Sequence, residues 1–142
     1  IFMQNVTCLA DLIFGGVCHR FPDLKLVSVE SGVGWIQAYL ESADWQFVNS
    51  ETRREHPEYD LLPSEYFKRQ GYATFADDIV GLMVREVTGV ECLLWGSDYP
   101  HDEGTFPHSQ AVVDRIFTGY PEETKRKIVY ENASRLYGFH TG

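Results

Sequence analysis

The chain has 142 residues, 44% hydrophobic and 14% aromatic, which suits a single domain with a packed core. Its formal charge of −9 at pH 7 argues against nonspecific binding to nucleic acid or to an acidic membrane surface. No apolar run approaches the roughly 20 residues needed to cross a bilayer. Cys8, Cys18 and Cys92 form neither a CxxC pair nor an even-numbered framework. They read as small core residues of a protein in a reducing compartment, and with no signal-like segment the expected location is the cytoplasm.

In chain order, Val6, Leu9, Ile13, Val17 and Cys18 recur at helical spacing, with Thr7 placed to cap an early turn. Pro22 ends that helix near His19 or Arg20, because the residue before a proline disfavours helical backbone. "LKLVSVE" (24–30) reads as a strand closed by Ser31-Gly32, and Trp35, Ile36, Tyr39, Leu40, Ala43 and Phe47 as an amphipathic helix. A polar excursion over 49–63 leads to a short helix over 64–70 with Ser64 as its cap. "GYATF" (71–75) is a second strand, Asp77-Asp78 starts a helix through "IVGLMVREV", and Gly89 ends it. "ECLLWG" (91–96) is the third strand. Helices follow over 110–117 and from Pro121 onward. Three strands alternate with helices and no hairpin signal separates them, so the fold class is α/β with parallel pairing through right-handed crossovers.

Several features read as structural. Lys125-Arg126-Lys127 follows Glu122 and Glu123 in a helical pattern and forms a solvated face. Asn5-Val6-Thr7 and Asn132-Ala133-Ser134 match the glycosylation pattern by chance. Trp35, Trp45 and Trp95 are expected to pack between helices and sheet. The opening Ile1-Phe2-Met3-Gln4 lacks an initiator methionine and already lies in an apolar helical pattern. It leads to the expectation of a piece of something longer.

Chemistry in parallel α/β folds gathers at the carboxyl ends of the strands. There the chain places Glu30-Ser31-Gly32, Asp77-Asp78 and Ser97-Asp98, three carboxylate clusters converging on one face. Asp77 reads first as a helix cap. Asp98 has two readings: an Asx-turn that holds the following loop, or a metal ligand and general base. His101 and His108 are further candidate ligands, although neither HxH nor HExxH occurs in the sequence.

Three segments, "FPDLKLVSVESGVGWI" (21–36), "LLWGSDYPH" (93–101) and "ENASRLYGF" (131–139), together resemble the carboxyl-terminal part of the metal-dependent amidohydrolase-related family. The branch is amidohydrolase-2, which includes aminocarboxymuconate-semialdehyde decarboxylase. The resemblance implies a TIM-like barrel in which residues 1–142 supply strands six to eight and their helices. It implies a divalent metal, zinc in the first instance, with Asp98 matching the aspartate that binds the ion and handles the proton of the activated water. The family's HxH pair on strand one and histidine on strand five have no counterpart here. Where decarboxylase members end strand six in a histidine, this chain has Glu30. That histidine's role is not carried over; Glu30, His101 and Asp77 are expected around the substrate or behind the metal ligand, with Glu30 having the alternative reading of a polar residue satisfied by neighbouring backbone groups.

The expected activity is therefore hydrolysis of a C–N or C–O bond in a small molecule by metal-activated water. The alternatives are nonoxidative decarboxylation of a small aromatic or unsaturated acid, and an inactive barrel fragment with a role in assembly. Three strands do not close a barrel, so the expected partner is the missing amino-terminal half or a second copy.

Overall fold

The computed structural model describes residues 2–139. Its centre is a three-stranded parallel sheet of β1 (Leu26–Ser28), β2 (Gly71–Phe75) and β3 (Leu93–Trp95), in the order β1-β2-β3. The register pairs Leu26 with Gly71 and Ser28 with Ala73 on one side of β2, and Ala73 with Leu93 and Phe75 with Trp95 on the other. β2 is the central strand, and its burial alternates: Gly71, Ala73 and Phe75 are buried, Tyr72 and Thr74 less so. That period of two assigns Ala73, Phe75 and Leu93 to the helix-covered face.

Against this face pack α1 (Phe2–Phe14) through Leu9 and Ile13, α3 (Gly34–Asn49) through Ile36 and Leu40, and α5 (Pro63–Gln70) through Tyr66 and Phe67. Leu82 of α6 (Ile79–Met83), Val113 and Ile116 of α8 (Ser109–Ile116), and Ile128 complete the core. Shorter helices are α2 (Val17–Arg20), α4 (Thr52–Glu55), α7 (Arg85–Thr88), α9 (Glu122–Arg126) and α10 (Asn132–Tyr137).

Two buried amides lock the frame. Gln70 donates to the carbonyls of Phe21 and Leu24 at 3.0 Å each, tying the end of α5 to the turn before β1. Asn132 is fully buried and donates to Val90 O at 2.8 Å and Leu93 O at 2.9 Å, which holds the last helix against β3. The final sequence motif is thus structural, as expected, and Gly138 closes α10 with a left-handed φ of 71°.

Several local expectations are corrected. The first helix breaks at Gly15-Gly16, and Thr7 lies inside α1, its hydroxyl donating to Met3 O. α5 starts at Pro63, not Ser64: Leu62 N donates to Glu65 Oε2 at 2.7 Å, while Ser64 N donates to Asp44 Oδ1. The strand expected over 24–30 forms only over Leu26–Ser28, and that over 91–96 only over Leu93–Trp95. Trp45 does not pack inside; it is 66% exposed on the outer face of α3. The basic cluster is solvated but paired: Lys125 meets Asp114, Arg126 meets Glu131, and Lys127 meets Glu91 and Glu123.

Asp77 is not the helix cap. Asp78 is: its Oδ1 accepts from Gly81 N at 2.8 Å, closing the first turn of α6. Its Oδ2 accepts from Val33 N at 2.7 Å and Gly34 N at 2.8 Å, at the start of α3. One carboxylate therefore caps two neighbouring helices, where backbone N–H groups lack internal partners. A side chain at Gly32 would meet that carboxylate at 2.9 Å, so the turn after β1 needs a glycine. Asp77, released from capping, pairs with Arg115 of α8.

Candidate metal centre

Beyond the carboxyl ends of the three strands lies a cleft of about 480 Å³, lined in part by Glu30, Thr74, Asp77, Asp98, His101 and Glu103. Each strand contributes one of the carboxylates anticipated from the sequence. β1 leads to Glu30, β2 to Asp77 and β3 to Asp98.

Asp98 sits three residues past the end of β3 with its side chain 28% exposed. The Asx-turn reading fails on geometry. The turn after β3 is closed by backbone, with His101 N donating to Asp98 O at 2.9 Å and Thr105 N to Ser97 O at 2.9 Å. Gly104 folds onto this turn so closely that a Cβ there would meet the carbonyl oxygens of Ser97, Asp98 and His101 at 2.8–2.9 Å. Among the described residues, the only polar side-chain partner of the Asp98 carboxylate is His101, whose Nδ1 lies 3.8 Å from Oδ1. The loop is held by other groups, and the carboxylate faces the cleft.

Glu30 has a similar setting. Its backbone N–H donates to Thr74 Oγ1 at 3.2 Å, and its carboxylate engages no Lys or Arg among the described residues. Glu30 and Asp98 are also the two non-glycine residues with left-handed backbone among those described, at φ 60° and 58°. That conformation is uncommon for residues with a Cβ. It turns both residues out of the strand alternation.

One ligand atom each of Glu30, Asp98 and His101 lies within 4.8 Å of the others. Of the residues singled out from sequence, these three come together. Asp77 shares the cleft but its carboxylate is held by Arg115. His108 stands away from the cluster, exposed at the start of α8, where its carbonyl accepts from Val112 N. Sequence reading passed over Thr74 and Glu103. Nothing distinguishes Thr74 in sequence from any strand threonine, whereas Glu103 lies in the acceptor-rich loop that follows Asp98.

Two carboxylate oxygens and an imidazole nitrogen are donors that divalent ions such as zinc or manganese accept, so the residues present fit such an ion.

The amidohydrolase family model matches residues 2–139. The chain belongs to the amidohydrolase family. It is similar to an amidohydrolase from Mycobacterium avium subsp. paratuberculosis K-10, with 28% identity and a TM-score of 0.72 over 90% of this chain and 32% of that one. It is equally similar in sequence to 5-carboxyvanillate decarboxylase from Sphingomonas paucimobilis, at 28% identity and a TM-score of 0.74 over 91% of this chain and 38% of that one. A third structure, described as an amidohydrolase from Staphylococcus aureus, has a TM-score of 0.72 at 24% identity, which bears on fold alone. None of the curated proteins matches the chain. The chain thus spans about a third of the length of the first two structures it resembles. Its parallel sheet and helices match a portion of the amidohydrolase TIM barrel.

Proposed function

We propose that this amidohydrolase chain provides the metal-holding carboxyl edge of a metal-dependent hydrolase that cleaves a C–N or C–O bond in a small molecule. The observation that carries the proposal is the freedom of Asp98: it follows the end of β3, faces a cleft, and holds no backbone N–H among the described residues. The edge strands β1 and β3 are where the remaining strands of a barrel would continue the sheet in the whole protein, with the face that carries Val27, Tyr72 and Thr74 turned to the barrel interior.

A divalent ion at such a site, zinc being the expected one, brings the pKa of water toward neutrality and polarises a carbonyl. Asp98 would help hold the ion, and its carboxylate would take a proton from water and return it to the leaving group. His101 stands beside it, with Nδ1 3.8 Å from Oδ1. The Tyr99 and Phe106 rings, edge to face at 5.0 Å, pack against each other on the same loop.

The decarboxylase among the similar structures supports a second reading, release of carbon dioxide from a small acid. Glu30 stands where the resemblance places a histidine at the end of strand six in decarboxylase members, and that departure favours hydrolysis over decarboxylation. In the whole barrel enzyme, neutral ester and amide substrates are assayed beside aromatic acids. Hydrolysis abolished by Asp98→Ala supports the proposal; carbon dioxide release without hydrolysis replaces it with decarboxylation. Neither activity in a metal-loaded enzyme returns the inactive-fragment reading.

A further inference from the structure

We infer that the outward face of α6 and α7, with the exposed side of α3 beside it, is the surface through which two copies of this protein pair about a two-fold axis. The inference is independent of the metal centre and of the reading of Asp98.

Ile79, Val80, Met83 and Val87 follow one another at i, i+1, i+4 and i+8, along one side of a helical run. Gly81, Leu82 and Thr88 take the other, buried side. A surface helix ordinarily turns charged residues to water, and here the water-facing side is apolar. On α3, which packs against α6 and α7, Trp45 and Val48 are exposed as well. These six residues are 50–68% exposed, and with residue surfaces of roughly 150–250 Å² they present roughly 600 Å² of mostly apolar area. That lies at the top of the range for the largest patch on a monomer, about 300–600 Å².

The place of α6 in the fold decides what can cover this face. The helix follows β2, the middle strand, and this chain occupies both of its flanks. On one flank Asp78 caps α6 and α3 together, and a Cβ on Gly34 would meet Val80 Cβ at 3.1 Å. On the other, Arg85 lies over the Tyr120 ring at 4.5 Å and Asp77 pairs with Arg115 of α8. The remaining strands of a barrel join at β1 and β3, so they and their helices do not reach the outer side of a helix that follows β2.

A second copy fits this face. Met83 has an apolar residue four positions to either side, Ile79 and Val87, so the stripe reads alike from both ends. A two-fold axis at Met83 sets the two helical runs antiparallel and lays Ile79 of each copy against Val87 of the other. Such a self-complementary patch is the commonest kind of oligomer contact. An apolar area of roughly 600 Å² with a polar rim reaches the roughly 800 Å² per partner of a standard interface. An acidic lipid surface does not fit: it calls for Lys or Arg beside the apolar face, whereas Asp77 and Glu86 border this stripe and Arg85 turns inward.

The test is sedimentation velocity of the whole barrel protein across the micromolar range. Met83→Glu and Val87→Glu are compared with wild type and with Tyr137→Ser, an exposed residue of α10, each checked for folding by circular dichroism and thermal melting. The wild type and Tyr137→Ser are expected to sediment as dimers, and both glutamate variants as folded monomers. The two-fold puts each change in the interface twice, so a tenfold weakening per copy raises the dissociation constant about a hundredfold. Hydrogen exchange of the wild type gives a second reading that needs no variant: amides of 79–88 are expected to lose protection on dilution below the dissociation constant. A wild type that is monomeric throughout overturns the inference. So does a dimer that both glutamate variants leave intact, or one whose dilution-sensitive protection lies outside α3, α6 and α7.

Discussion

Asp78→Ala removes one carboxylate and, with it, acceptors for three backbone N–H groups at 2.7–2.8 Å. Those groups open two helices, α3 and α6, and α3 contributes Ile36 and Leu40 to the core. Loss of a single cap costs about 0.5–2 kcal/mol, and hydrogen bonds to a charged acceptor are at the strong end of the range. Two caps on one side chain put the expected loss at about 2–4 kcal/mol. For a chain of this size that is a fall of roughly 6–20 °C in melting temperature. Asp77→Ala next door removes only an ion pair with Arg115 whose side chains are 45% and 55% exposed, worth about 0.2–1 kcal/mol. Urea unfolding of the two variants side by side measures the difference. Equal losses, or a larger loss at Asp77, refute the assignment of the cap to Asp78.

Thiol chemistry follows burial. Cys8 is exposed, whereas burial pushes the thiol of Cys18 up and that of Cys92 up to about 11. Iodoacetamide at pH 8 is expected to modify Cys8 alone in the folded chain and all three after unfolding, as mass spectrometry would show; rapid modification of Cys92 in the native chain contradicts the packing. Acid stability follows the carboxylates. Hydrogen bonds from Lys127 and then Arg135 hold Glu91 below its ordinary value of 4.5, and Lys125 and Gln110 similarly lower Asp114. A lowered folded-state pKa gives stability that is present above the unfolded value and lost as pH falls through the folded one. Urea midpoints are therefore expected to drop below about pH 4.5, and Glu91→Gln to reduce that drop; an unchanged pH profile in the variant refutes the linkage.

The sheet and its topology were legible because three β-rich runs alternate with helical periodicities and lack hairpin turns. Strand ends were harder. Burial in a parallel sheet is two-sided, so the apolar run around Val27 and Val29 gives no sharp boundary, and Glu30 leaves the strand through backbone geometry that sequence does not display. The Asp77-Asp78 pair shows the same limit: composition announces a helix start, but which carboxylate faces the amides depends on the path of α3, more than forty residues earlier in the chain. Asp98 was visible as a candidate because a buried strand leads to it. What sequence left open, an Asx-turn or a free carboxylate, was decided by the loop's own backbone bonds and by the close approach at Gly104. Trp45 misled because its helix is amphipathic only on the other face.

The most direct measurement of the central claim is anomalous diffraction at the zinc edge from crystals of the protein grown with zinc. The account predicts a peak in the cleft beyond β3, about 2.0–2.2 Å from a carboxylate oxygen of Asp98. A zinc peak elsewhere, with the Asp98 carboxylate outside the ion's coordination sphere, contradicts it.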